Sequence, residues 1–115
     1  MVTTLDVEQE NFLTRATSTK TGSKTAVLYN SSDEKLVTLK LTGTFSYTGS
    51  SATCTSASTS YTIHEDSWSV TSAIASKSGR QAIGNFTSKH YMLGIPIQTR
   101  ETTITISCSN TGTLS

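Results

Sequence analysis

From Leu36 onward the chain reads LVTLKLTGTFSY, and its large apolar residues keep to every second position. Val37, Leu39, Leu41, Phe45 and Tyr47 share one parity, while Thr38, Lys40, Thr42, Thr44 and Ser46 take the other. Successive side chains of an extended chain point to opposite faces, so this alternation predicts a β-strand with one buried face. TGSS at 48–51 predicts the hairpin turn that follows, with Gly49 free to take a positive φ. The chain then returns from Ala52 to about Ile63. A turn centred on Gly49 and Ser50 places Cys54 opposite Phe45, on the apolar side. Parity breaks after that, because Ala52 and Cys54 are even whereas Ala57, Tyr61 and Ile63 are odd. A β-bulge between 55 and 60 would switch the faces.

The same pattern recurs downstream. HED at 64–66 reads as a turn, and Trp68, Val70 and Ile74 open another strand on even positions. SKSGR at 76–80 is a second hairpin, after which Ala82, Gly84 and Phe86 return on even positions. HYMLGIPIQTR holds the single proline, Pro96, which cannot donate to a ladder and so demands an edge, a bulge or a loop. TRETTITISCS alternates once more, with Ile104, Ile106 and Cys108 on one face. Upstream, TRATSTKTGSKTAVLYN predicts two short strand pieces around Gly22, ending at Tyr29. NSSDEK at 30–35 is a turn, since Asn, Ser and Asp side chains bond the backbone there. Residues 1–15 are polar and charged around Phe12 and Leu13, and read as a flexible or edge-strand lead-in to a domain at 16–115. No run has helical period. The expectation is an all-β fold: a single immunoglobulin-like antiparallel β-sandwich of about six to eight strands.

Composition sharpens this picture. The 115 residues suit one core, and with 34% hydrophobic and 7% aromatic residues that core is thin. The 23 threonines and 19 serines could mark a mucin-like stalk, but a stalk is rich in proline and this chain has one. Threonine, being β-branched, suits a pleated surface instead. The net charge is +1 with 15% charged residues, so no basic stripe exists for nucleic acid. No apolar run approaches the roughly 18 residues of a membrane span. MVTTLDVEQENFLTR lacks the basic start and apolar stretch of a signal peptide, and Met1 is read as a start placed ahead of a mature, exported domain.

Cys54 and Cys108 lie on apolar faces of different strands, with Trp68 between them in sequence. Joined as a disulfide, they would close a loop of about 55 residues, worth roughly 4 kcal/mol in the chain-entropy model. The alternative is two unrelated buried thiols, since free cysteine is itself a common core residue. Two cysteines without nearby His or Cys partners cannot complete a tetrahedral metal shell. The Cys–Trp–Cys order resembles the immunoglobulin pattern. It departs from that pattern at Ile106, where a tyrosine corner would place Tyr, and in the short tail SNTGTLS after Cys108. The segments LTGTFSYTGSSATCTSAS, SWSVTSAIASKSG, FTSKHYMLGI and TITISCSNTGTLS resemble a Ser/Thr-rich, two-cysteine β domain found in secreted proteins of gut Gram-positive bacteria. That resemblance covers about 17–115. It implies export and a disulfide-tied β fold, and carries over no activity and no functional residue.

Chemistry is sparse. His64, Glu65 and Asp66 cluster beside Trp68, and a catalytic or metal role would need His90 folded back towards them; ordinary turn polarity is the simpler reading. Asp33, Glu34 and Asp66 lack the dense oxygen-ligand run of a calcium loop. No G-x-S-x-G elbow supports a serine nucleophile. The expectation is therefore no enzyme, no metal and no cofactor. Tyr29, Tyr47 and Tyr91 lie near turns, where tyrosine rings can stack on sugars or partner side chains, although packing is their commoner use. Tyr91, Met92, Leu93, Ile95, Pro96 and Ile97 gather around Gly94. Exposed, they form an apolar patch in want of a partner; buried, they form a crossover between sheets, which a thin core favours. The leading functional expectation is a small secreted or cell-surface, non-enzymatic binding module for a protein or glycan ligand. The alternatives are an inhibitor or effector of another protein and a structural, adhesin-type building block.

Overall fold

The structure, a computed structural model, describes residues 2–10 and 17–115, and within the first stretch the side chains of residues 3–5 only. Its elements are β1 (Val2–Glu10), β2 (Ser18–Tyr29), β3 (Lys35–Tyr47), β4 (Ala52–Ile63), β5 (Trp68–Ser78), β6 (Gln81–Met92) and β7 (Ile95–Ser107). The first four form one antiparallel sheet in sequence order, and the last three form a second. β2 packs over β7, β3 over β6 and β4 over β5. The fold is thus the expected all-β antiparallel sandwich. Each strand pairs only with its neighbours in the chain, so the connections run up and down, without the Greek-key return of an immunoglobulin domain.

The long alternating run behaves as its pattern demands. Val37, Leu39, Leu41 and Phe45 are fully buried, facing Ala82, Phe86, Ile104 and Ile106 of the second sheet. Phe45 pairs with Cys54, and the register shifts there because Ser56 pairs with Thr44, leaving Thr55 as the extra residue. The expected bulge therefore sits at the near end of its predicted window. A second bulge has no counterpart in the sequence pattern: Val70 pairs with Ser88 and Ser72 with Thr87, so Thr71 is extra. Parity reverses beyond it. Ile74, expected on the core face with Trp68 and Val70, is 58% exposed, and Ala73 packs inward instead.

Gly22 also departs from expectation. It lies inside one continuous twelve-residue strand, opposite Gly43, rather than between two short pieces. Gly43 lets the sheets come close, since a Cβ there would meet the Ala82 Cβ at 2.8 Å and the Phe45 ring at 2.9 Å. β1 is an edge strand paired along its length with β2. The 15/16 boundary lies outside the described residues.

One end of the sandwich is closed by backbone bonds. The Cys54 N–H donates to Gly79 O (2.8 Å) and the Cys108 N–H to Arg80 O (3.1 Å), so both cysteines hang on the β5–β6 turn. Beyond Cys108 the tail folds back, with Ser107 and Ser115 exchanging N–H to O bonds of 3.0 Å and Leu114 bridging Cys108. The Gly49 N–H donates to Asn110 O (2.8 Å), tying the β3–β4 turn to that tail. The disulfide expected between Cys54 and Cys108 is not formed in the structure. Both are buried free thiols, each donating locally, Cys54 to Ser56 O and Cys108 to Ser109 O, both at 3.3 Å. Burial pushes both thiols up from the ordinary range.

Candidate functional site

The opposite end is built differently. β5 begins at Trp68, paired with His90, and the Tyr91 N–H donates to Ser67 O at 2.7 Å. Past that point β6 and β7 pair only with each other, Tyr91 with Pro96 and Met92 with Ile95, so the hairpin projects from the sheet. Pro96 lies on an edge strand beside a bulge, because the register shifts between His90 and Tyr91 and Ile97 is passed over. Two of the three settings open to it, the edge and the bulge, coincide here. Leu93 (φ 53°) and Gly94 (φ 78°) make a two-residue turn with positive φ at both positions.

The burial expected of 91–97 does not occur. Leu93 is 96% exposed, Met92, Ile95 and Ile97 are more than half exposed, and Pro96 is exposed as well. The meander explains this, because β6 and β7 are joined within one sheet and no crossover between sheets is needed. Leu93 is also strained. A side chain in the left-handed region costs about 1–2 kcal/mol, and Asn or Gly is the usual occupant.

A cleft of about 500 Å³ opens beside the hairpin, within the range of small-molecule sites. Its floor is Leu36 and Trp68, both buried. Asn30, Ser31 and Glu34 of the β2–β3 turn form one wall, and Glu65 and Ser67 of the β4–β5 turn form a second. His90, Gln98 and Arg100 close it from β6 and β7. The turns are held firmly. The Asn30 Oδ1 accepts from the Ser32 N–H (2.8 Å) and the Glu34 N–H (3.0 Å), and the Leu36 carbonyl accepts from the N–H groups of His64 (2.9 Å) and Glu65 (3.3 Å). Trp68 stacks on His90 with centroids 5.0 Å apart and planes 4° from parallel. The Arg100 guanidinium lies 5.4 Å from the Trp68 ring centroid, a cation–π contact.

The candidate residues from the sequence divide between the two ends. Tyr91, Met92, Leu93, Ile95 and Pro96 form the hairpin tip, and Tyr29 leads into the Asn30 turn at the same end. Tyr47 lies a full strand away, about 40 Å at the usual rise, with its ring against Gly112. Of the HED turn, only Glu65 lines the cleft, while the His64 Nε2 is bonded to the Thr38 hydroxyl at 2.7 Å. His90 reaches Trp68 but not His64's bonding partners. Gln98 and Arg100 carried no mark in the sequence. Among the described residues no group of three His, Cys, Asp or Glu side chains is placed to hold a metal ion, and no helix is long and apolar enough to cross a membrane.

No protein-family model matches the chain, and neither a curated protein nor a solved structure matches it.

Proposed function

We propose that the protein is a small, non-enzymatic recognition module of an exported or surface-attached protein, gripping a protein ligand with the β6–β7 hairpin tip. The observation that carries this reading is Leu93, a strained residue 96% exposed at the tip of a projecting apolar hairpin. Nothing in the fold gains from leucine there. Strain retained without a folding reason points to use. In a chain with a core this thin, three more large side chains spent on the outside of the hairpin, Met92, Ile95 and Ile97, have the same meaning. The neighbouring turns carry the exposed carboxylates of Asp33, Glu34, Glu65 and Asp66, which oppose an anionic bilayer and suit a partner with an apolar pocket and a basic rim. Export is supported by the Ser/Thr-rich composition and by two cysteines whose N–H groups are tied to the same turn, which thiol–disulfide exchange can join in an oxidising compartment.

The test is a photo-crosslinker at Met92, presented to extracellular protein fractions. A specific adduct, competed by the wild-type protein and not by Leu93→Asn, supports the reading. An adduct competed equally by both defeats it, as does sedimentation with lipid vesicles instead of protein capture. Alkylation in denaturant before reduction checks the compartment, because the exported form leaves neither cysteine labelled.

A second reading has its own observation. The four-stranded sheet has one strand more than the other, so among the described residues β1 packs only on β2, while β7 is an edge strand covered at Ser107 by the tail and at Thr105 O by the Lys24 ammonium, and open before that. A building block that adds a strand from a neighbour at β7 would use that edge. A monomeric mass that does not change with concentration removes it.

A further inference from the structure

Around the Trp68 cleft, five polar side chains are left without a hydrogen bond or ion pair among the described residues: Glu65, Trp68, His90, Gln98 and Arg100. Trp68 lines the cleft with only 4% of its surface exposed, and its indole N–H makes no hydrogen bond to the described residues and is not among the buried unpartnered atoms, so it is open to the solvent of the cleft. His90 and Arg100 are themselves half-buried and fixed by their contacts with the Trp68 ring, so the cleft holds its polar groups in place before anything enters.

We infer that this cleft binds a neutral saccharide, by hydrogen bonds to its hydroxyls and ring oxygen. The charge balance decides the class. An inorganic anion would meet Glu34 and Glu65 with one arginine to offset them. A cation would meet Arg100. A hydroxyl group is both donor and acceptor, and uses both kinds of wall group: carboxylates that accept from adjacent hydroxyls, and the N–H groups of Trp68, Gln98 and Arg100 that donate to sugar oxygens. One ring face of Trp68 is taken by His90, so the tryptophan serves as apolar floor and N–H donor rather than as a stacking plate. The site lies beside the hairpin tip and does not depend on it.

Trp68 is the only tryptophan, so its emission reports on the cleft directly. The full chain is titrated with free neutral mono- and disaccharides, with inorganic phosphate and with lysine ethyl ester, each to about 10 mM, ten times a weak ~1 mM Kd. At least one saccharide gives a saturable change in emission. Glu65→Gln, at a side chain without a bond in the fold, and Arg100→Gln, which removes a donor and its contact with the Trp68 ring, each weaken that response about tenfold. Leu93→Asn leaves it intact, so loss of the tip's partner and loss of the saccharide are separate outcomes. The inference is overturned if no saccharide alters the emission, if phosphate or the cationic ester does so instead, or if both cleft variants respond like the wild type.

Discussion

The two ends of the sandwich are made from the same kind of turn-linked strands and treated in opposite ways. At the Cys54–Cys108 end the backbone closes on itself: the tail folds back on Ser107, the β3–β4 turn is tied to Asn110, and both cysteines hang on the Gly79–Arg80 turn. At the Trp68 end the turns are just as well bonded, yet the hairpin runs on past the sheet, and several polar groups of the cleft, among them Glu65 and Gln98, make no hydrogen bond to the described residues. The difference separates two kinds of position. Side chains at the closed end hold the fold together, and those at the open end are free to meet something else.

That contrast can be tested by substitution, beginning where the effect is largest. Phe45→Ala removes a fully buried ring packed on Gly43 and Cys54, and is expected to cost about 3–5 kcal/mol, read as a fall in the denaturation midpoint. A loss below 1 kcal/mol would mean that the closed half is not the anchor. Gly112→Ala comes next. Its φ of +88° disfavours a side chain, and a Cβ would strike the Tyr47 ring, so a loss of about 2 kcal/mol is expected with ligand binding unchanged. Leu93→Asn has the opposite sign. Asparagine accepts the left-handed turn, so the variant gains up to about 1 kcal/mol in stability while losing its protein partner. Equal stability with full binding would remove the distinction between the ends.

The remaining expectation is a drift with pH. Burial raises both thiols in the folded state, so the unfolded chain gives up its protons first as pH rises. Stability in reductant is therefore full below the ordinary thiol range near pH 8.5 and declines above it, until the folded thiols ionise as well. Double replacement of Cys54 and Cys108 by Ala flattens that alkaline limb, and so does joining them as a disulfide. A drift that survives the replacement would place its origin elsewhere.

Much of the fold was readable along the chain because extended structure writes burial with period two. Phe45 and Cys54 could be placed opposite each other by counting from Gly49, and the parity change after Cys54 announced the bulge at Thr55. The bulge at Thr71 was silent for a physical reason. Ser72 and Ala73 are small enough for either face, so Trp68, Val70 and Ile74 looked continuous. Gly22 looked like a breaker, and only its pairing with Gly43 makes it part of a strand. The cleft was the least legible. Its groups come from four separate segments between Asn30 and Arg100, and nothing local marks Gln98 or Arg100 as neighbours of Trp68. The tip residues were visible as a cluster, but their exposure depends on where β5 begins, which the local pattern does not announce.

The up-and-down strand order has a further consequence. Residues 64–67 are the sole covalent link between the two sheets, and every strand ladder is completed on one side of that link. A chain cut there would yield two fragments, each with its own meander whole, and their reunion would rest on interlocking aliphatic and aromatic side chains together with the bonds that cross between the halves, such as Cys54 N–H to Gly79 O and Gly49 N–H to Asn110 O. The cleft, whose walls come from both sides of that link, would be reassembled only when both fragments are present.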